Sequence, residues 1–75
     1  QLDPGHVLAY NNRGIAYGKL VQYKQAIEDF DRAIQLGPDF ALAYNNRGVA
    51  YRMLGRDAEA DADLAKACSL DSQYC

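Results

Sequence analysis

The hexapeptide AYNNRG occurs twice, from Ala9 to Gly14 and again from Ala43 to Gly48, at an offset of 34 residues. The same offset carries Tyr17 onto Tyr51, Leu20 onto Leu54, Ala26 onto Ala60, Asp29 onto Asp63, Ala33 onto Ala67 and Leu36 onto Leu70. Self-similarity at a fixed period of this length restricts a chain to repeat architectures, in which a unit cannot bury its apolar face alone and stacks on its neighbour. With 75 residues there is room for two such units. Leu2-Asp3-Pro4 also matches Leu36-Gly37-Pro38 and Leu70-Asp71-Ser72 at the same offset. Residues 1–6 are therefore expected to be the tail of a preceding unit or a leader, 7–40 the first unit and 41–74 the second.

Inside each unit the apolar spacing is helical. Tyr10, Gly14 and Tyr17 recur at four and seven, and Ala26, Ile27, Phe30, Ala33 and Ile34 line one face of a second segment. Four helices are expected near residues 6–20, 23–36, 40–54 and 57–70. Turn chemistry falls between them: Pro38 with Asp39 as N-cap of the third, and Gly55 as a left-handed C-cap of the third. The position matching Gly55 in the first unit is Val21, where a β-branched residue at positive φ would be strained. Either that turn is built differently or Val21 costs stability.

Composition narrows the function. A net charge of −2 and a pI near 5.1 argue against a phosphate-backbone binder, which needs a basic face. No apolar run approaches the roughly 18 residues of a membrane span, and no signal peptide is visible. His6 is the sole histidine and no carboxylate pair, phosphate loop or Cys-His pair is placed for chemistry, so no enzyme, metal or cofactor is expected. Cys68 and Cys75 stand seven positions apart. On a continuing helix they would lie about 10 Å apart along the axis, too far to bridge. Cys68 is therefore expected to be a small core residue and Cys75 a free thiol, in a reducing, cytoplasmic setting.

The pattern resembles the tetratricopeptide repeat, a 34-residue helix-turn-helix unit. Tyr10, Gly14, Tyr17, Ala26, Phe30, Ala33 and Pro38 match its positions in the first unit, and Tyr44, Gly48, Tyr51, Ala60 and Ala67 in the second. Leu64 stands where the family has an aromatic and Ser72 where it has Pro. The resemblance implies an all-α fold of four antiparallel helices, two helix-turn-helix units in a right-handed α-solenoid. First helices would line a concave groove and second helices the convex back. The glycines admit close helix approach, and the small alanines opposite let the tyrosines interdigitate.

Arg13 and Arg47 replace the Leu usual in the family. Each unit carries an acid sixteen positions later, Asp29 and Asp63, so ion pairs Arg13–Asp29 and Arg47–Asp63 are expected, a buried guanidinium without a partner being costly. The other use open to these arginines is to grip a ligand carboxylate.

The asparagines face away from the tyrosine notch. Leu8, Asn11, Asn12, Ile15 and Lys19 share that face, as do Leu42, Asn45, Asn46, Val49 and Met53. Stacked units would align Asn12 with Asn46 as a ladder, whose amides offer donor and acceptor to an extended peptide backbone. Long members of the family use asparagines in this way. Leu8, Ile15, Leu42 and Val49 would form apolar pockets beside it, with Lys19 and Arg52 as rim charges. Leu8, Asn11 and Leu42 occupy positions where chaperone-binding members carry clamp residues, which argues against that activity. The asparagines have a plainer use as well, a solvated face or a contact with a neighbouring helix.

The expected function is thus a non-catalytic scaffold whose partner is a protein or peptide, with neither nucleic acid nor membrane. The alternative is a homo-oligomer formed by end-to-end stacking, with Leu64, Ala67, Cys68 and Leu70 as interface. Asp57 and Asp61, which replace Tyr23 and Ile27 on the fourth helix, fit an array end or a decayed unit.

Overall fold

The computed structural model describes residues 6–75; the leader match at Leu2-Asp3-Pro4 lies outside them. Four α-helices follow one another: α1 (Val7–Lys19), α2 (Tyr23–Leu36), α3 (Ala41–Met53) and α4 (Asp57–Leu70), with a 3-10 turn at Ser72–Tyr74. Their bounds differ from the sequence expectation by no more than one residue. Short connections fold α1 onto α2 and α3 onto α4, and α2 also packs on α3 to join the two units, while α1 and α3 scarcely touch. The result is an all-α solenoid segment. No helix among the described residues is long and apolar enough to cross a membrane.

The core sits where α2 meets its neighbours. Ala26, Ile27, Phe30 and Ala50 form a buried cluster, flanked by Ile15, Tyr17, Tyr23 and Tyr51. Gly14 has a packing role: a Cβ there would lie 2.5 to 3.0 Å from three ring atoms of Phe30. At Gly48 the corresponding neighbours are Leu64, the Ala60 carbonyl and Asp63, at 3.0 to 3.1 Å. The smaller Leu64 relaxes the notch that Phe30 fills in the first unit.

Both helix hairpins turn through the same backbone motif. Gln22 N–H donates to the Tyr17 carbonyl and Val21 N–H to Gly18, as Arg56 donates to Tyr51 and Gly55 to Arg52. This pair of bonds requires a left-handed residue just past the helix. Gly55 takes it at φ 78° and Val21 at φ 62°. The first turn is therefore built like the second, with a valine where the geometry favours glycine. A left-handed L-residue costs about 1–2 kcal/mol, and Val21 is exposed, so no lost packing offsets its removal. Val21→Gly is expected to stabilise the chain by about 1 kcal/mol, raising the melting temperature by about 4–8 °C in thermal unfolding.

Two sequence expectations fail in the turns and at the C-terminal end. Asp39 does not cap α3: a backbone bond from Phe40 N–H to Gly37 closes the turn, and Phe40 occupies the N-cap with no side-chain cap bond. Cys68 and Cys75 are not free thiols but a disulfide, with Cα atoms 4.7 Å apart. The axial estimate fails because α4 stops at Leu70. Asp71 is extended (φ −152°, ψ 116°), and its side chain accepts from the Gln73 backbone at 3.1 Å, starting the 3-10 turn that folds Cys75 back. Pairing also removes the ground for a reducing setting.

Candidate functional site

The two arginines of the repeated hexapeptide are structural. Arg13 donates to both oxygens of Asp29 at 2.7 and 2.8 Å, and Arg47 to both oxygens of Asp63 at 2.8 and 2.7 Å. Bidentate geometry suits the planar guanidinium. Each arginine also lies between two rings of its own helix: Arg13 is 5.8 Å from the Tyr10 centroid and 5.9 Å from Tyr17, Arg47 5.7 Å from Tyr44 and 5.8 Å from Tyr51. These distances are near the outer limit of a cation–π contact. Arg47 does one thing more, donating across the joint to Asp31 of α2 at 2.8 Å. Its bond to Asp63 raises its pKa above the ordinary arginine range, against the opposing effect of burial, with Asp31 adding to the rise.

The asparagines divide by burial. Asn12 is exposed, while Asn11 is fully buried between the units. Asn46 Nδ2 donates to Asn11 Oδ1 at 3.1 Å, a bond that ties the two units together. The Nδ2 group of Asn11 is itself buried without a hydrogen-bond partner, a cost on the order of 1–3 kcal/mol. A repeat period aligns equivalent positions by number, but the way the units join decides which side chains touch, here Asn11 and Asn46.

An apolar cavity of about 300 Å³ opens between α1 and α3 above α2. Tyr23, Ala26 and Phe30 of α2 form its floor. Ile15 and Lys19 of α1 and Asn46, Val49, Ala50 and Met53 of α3 form its walls, with Gly14 and Gly18 along the α1 side. Val49 and Met53 remain 51% and 59% exposed, an apolar surface that the fold does not cover. The structure thus brings together Ile15, Lys19, Asn46, Val49 and Met53 of the expected site. Leu8, which is exposed, and Leu42 and Asn45, which are half-buried, do not line this cavity. Arg52 is not an unpartnered rim charge: it donates to Asp61 at 2.6 Å and to Asp57 at 3.4 Å.

Gly18 is the residue sequence reasoning missed. A Cβ added there would meet nothing within 4 Å, so the notch that explains Gly14 does not explain it. A glycine inside a helix costs about 1 kcal/mol against alanine. Its signal was present in the repeat, since the matching residue of the second unit is Arg52.

The outer face of α4 differs from that of α2. Where α2 presents Tyr23, Ile27 and Asp31 to α3, α4 carries Asp57, Asp61 and Ala65. The two aspartates are held by Arg52, and Ala65 leaves no carboxylate where Asp31 receives Arg47.

Comparison with known proteins agrees with this architecture. The tetratricopeptide-repeat profile matches residues 7–40, and a second profile of that name matches residues 30–62. No curated protein matches the chain. A solved structure described as the crystal structure of MamA protein superposes with a TM-score of 0.86 at 29% sequence identity over 96% of this chain. This chain spans 39% of that one. With its period, its two glycine notches and these matches, the chain belongs to the tetratricopeptide-repeat family.

Proposed function

We propose that the chain is a non-catalytic interaction scaffold, made of a unit at 7–40 and a unit at 41–74, that holds an extended segment of a partner protein against the α1 and α3 face. Repeats of this family generally mediate protein–protein interaction. The observation that carries the proposal is the open apolar cavity above α2, with Val49 and Met53 left uncovered at its wall. Asn46 supplies the polar contact: its Nδ2 serves Asn11, and its amide oxygen is free to accept a backbone N–H of the bound segment. Asn12 is solvent-exposed and keeps its whole amide for the same use. The partner is read as a peptide because the cavity of about 300 Å³ suits one side chain with its flanking extended backbone.

End-to-end stacking has less support. The joint between the units uses Tyr23, Ile27 and Asp31, and α4 offers a following unit two arginine-bound aspartates and an alanine instead. Capture of peptides from a random library separates the two. The chain is expected to enrich apolar-containing peptides as a monomer in sedimentation, and Val49→Glu to abolish capture with melting unchanged within about 0.5 kcal/mol, as for an exposed position. Equal capture by Val49→Glu, or a concentration-dependent dimer lost in that variant, would rule the groove out.

A further inference from the structure

Within the groove function just proposed, on which this step rests, we infer that the cavity beside Gly18 is a specificity pocket for one large aliphatic or aromatic side chain followed closely by a carboxylate. Three observations converge on that ligand. The floor and walls are apolar, with Phe30 and Ala26 buried beneath and Ile15, Val49 and Met53 around, so the occupant must be an apolar side chain. The volume of about 300 Å³ admits a side chain and its flanking backbone, at the lower bound of ordinary ligand cavities. Lys19 is the charged residue of the lining, no acid lines the cavity, and Lys19 makes no ion pair among the described residues. In the same molecule Arg13, Arg47, Arg52 and Arg56 are all engaged by carboxylates. Lys24 and Lys66 also stand outside these ion pairs, and what distinguishes Lys19 is its place in the lining of this apolar cavity, where a cation favours an acidic group on what binds.

Gly18 keeps the pocket open. A Cβ added at this position, on the α1 wall of the cavity, would meet no atom within 4 Å. The glycine therefore weakens the helix with no packing return, and the space it leaves belongs to the bound side chain. At the matching position of the second unit stands Arg52, whose side chain is turned to Asp57 and Asp61.

The test titrates the chain with three capped peptides of about eight residues, long enough to cross the groove at roughly 3.3 Å per extended residue. One carries a central Leu-Glu pair, one Ala-Glu and one Leu-Gln. Amide chemical shifts are followed up to millimolar peptide. Gly18→Leu is expected to melt no lower than the parent chain, since it replaces a helical glycine with a strong helix former in open space. It should also bind the Leu-Glu peptide at least tenfold more weakly. Lys19→Gln is expected to weaken Leu-Glu binding about threefold to tenfold while leaving Leu-Gln unchanged. Undiminished binding to Gly18→Leu, with binding lost in Val49→Glu, would overturn the pocket while the groove stands. Equal weakening of the Leu-Glu and Leu-Gln peptides by Lys19→Gln would overturn the carboxylate preference. Failure of all three peptides to move any α1 or α3 amide would overturn the groove and the pocket together.

Discussion

Replacing Arg47 with Met is expected to lower the unfolding free energy by about 3 kcal/mol, measured by denaturant titration. Asp63 is almost wholly buried, with its side chain 8% exposed, and Arg47 is its cation. Removing one partner of such a pair leaves an uncompensated buried charge, which costs about 3–5 kcal/mol. The lower figure applies because Arg47 keeps some contact with water, at 21% exposure. Arg13 is less critical, since Asp29 has a second cation, Arg32, at 4.0 Å. Arg47→Lys retains the charge and loses the fork, so it should fall between. The double change Arg47→Met with Asp63→Leu should recover most of the loss, because both charges leave together. A raised folded pKa means that the arginine's contribution is fully present below its ordinary range and is lost only as the pH rises beyond it. Neutral and mildly alkaline buffers therefore give the same result. Additive losses in the double variant would show that Asp63 is stabilised by something other than Arg47.

Phe30→Ala is expected to cost about 3 kcal/mol or more. The ring is 3% exposed and fills the notch that Gly14 leaves, over Ala26 and beside Ala50. A domain of this size has only about 4–11 kcal/mol to lose, so the variant should be partly unfolded at about 37 °C by circular dichroism. Phe30→Leu copies Leu64, the residue the second unit places against Gly48, and should cost about 1 kcal/mol. If Phe30→Ala melts like the parent chain, the notch is not the centre of the core.

These two residues also mark how much could be read from the chain itself. The glycine, tyrosine and alanine positions repeat at 34, and helical spacing with Gly55 sufficed to bound all four helices within a residue. The arginine pairs followed from charge and an offset of sixteen. What escaped was whatever depends on the path of a turn or the stagger of two helices. The Cys68–Cys75 bridge needs the chain to leave the helix at Asp71, which a straight-axis estimate cannot contain. Arg47 reaching Asp31, and Asn46 reaching Asn11, both cross the joint between units, where contact is set by how helices cross and not by the period. The candidate site divided along the same line. Ile15, Lys19, Val49 and Met53 were legible as one face, while the floor of Tyr23 and Phe30 comes from α2, a helix that face reasoning assigns to the back.

The asparagine-rich hexapeptide is accordingly a joint first. Asn11 and Asn46 tie the units, Arg13 and Arg47 tie the helices, and the glycines let them approach. The proposed binding surface lies one turn further along α1 and α3, where Gly18 and Val49 leave apolar space uncovered.

Mapping amide chemical-shift changes as a library-selected peptide is added to the chain tests the proposed groove most directly. The largest changes are expected at Ile15, Gly18, Lys19, Asn46, Val49 and Met53, with little change along the exposed face of α4. Changes centred on Asp57, Asp61 and Ala65 of α4, with the α1 and α3 amides unmoved, would contradict it.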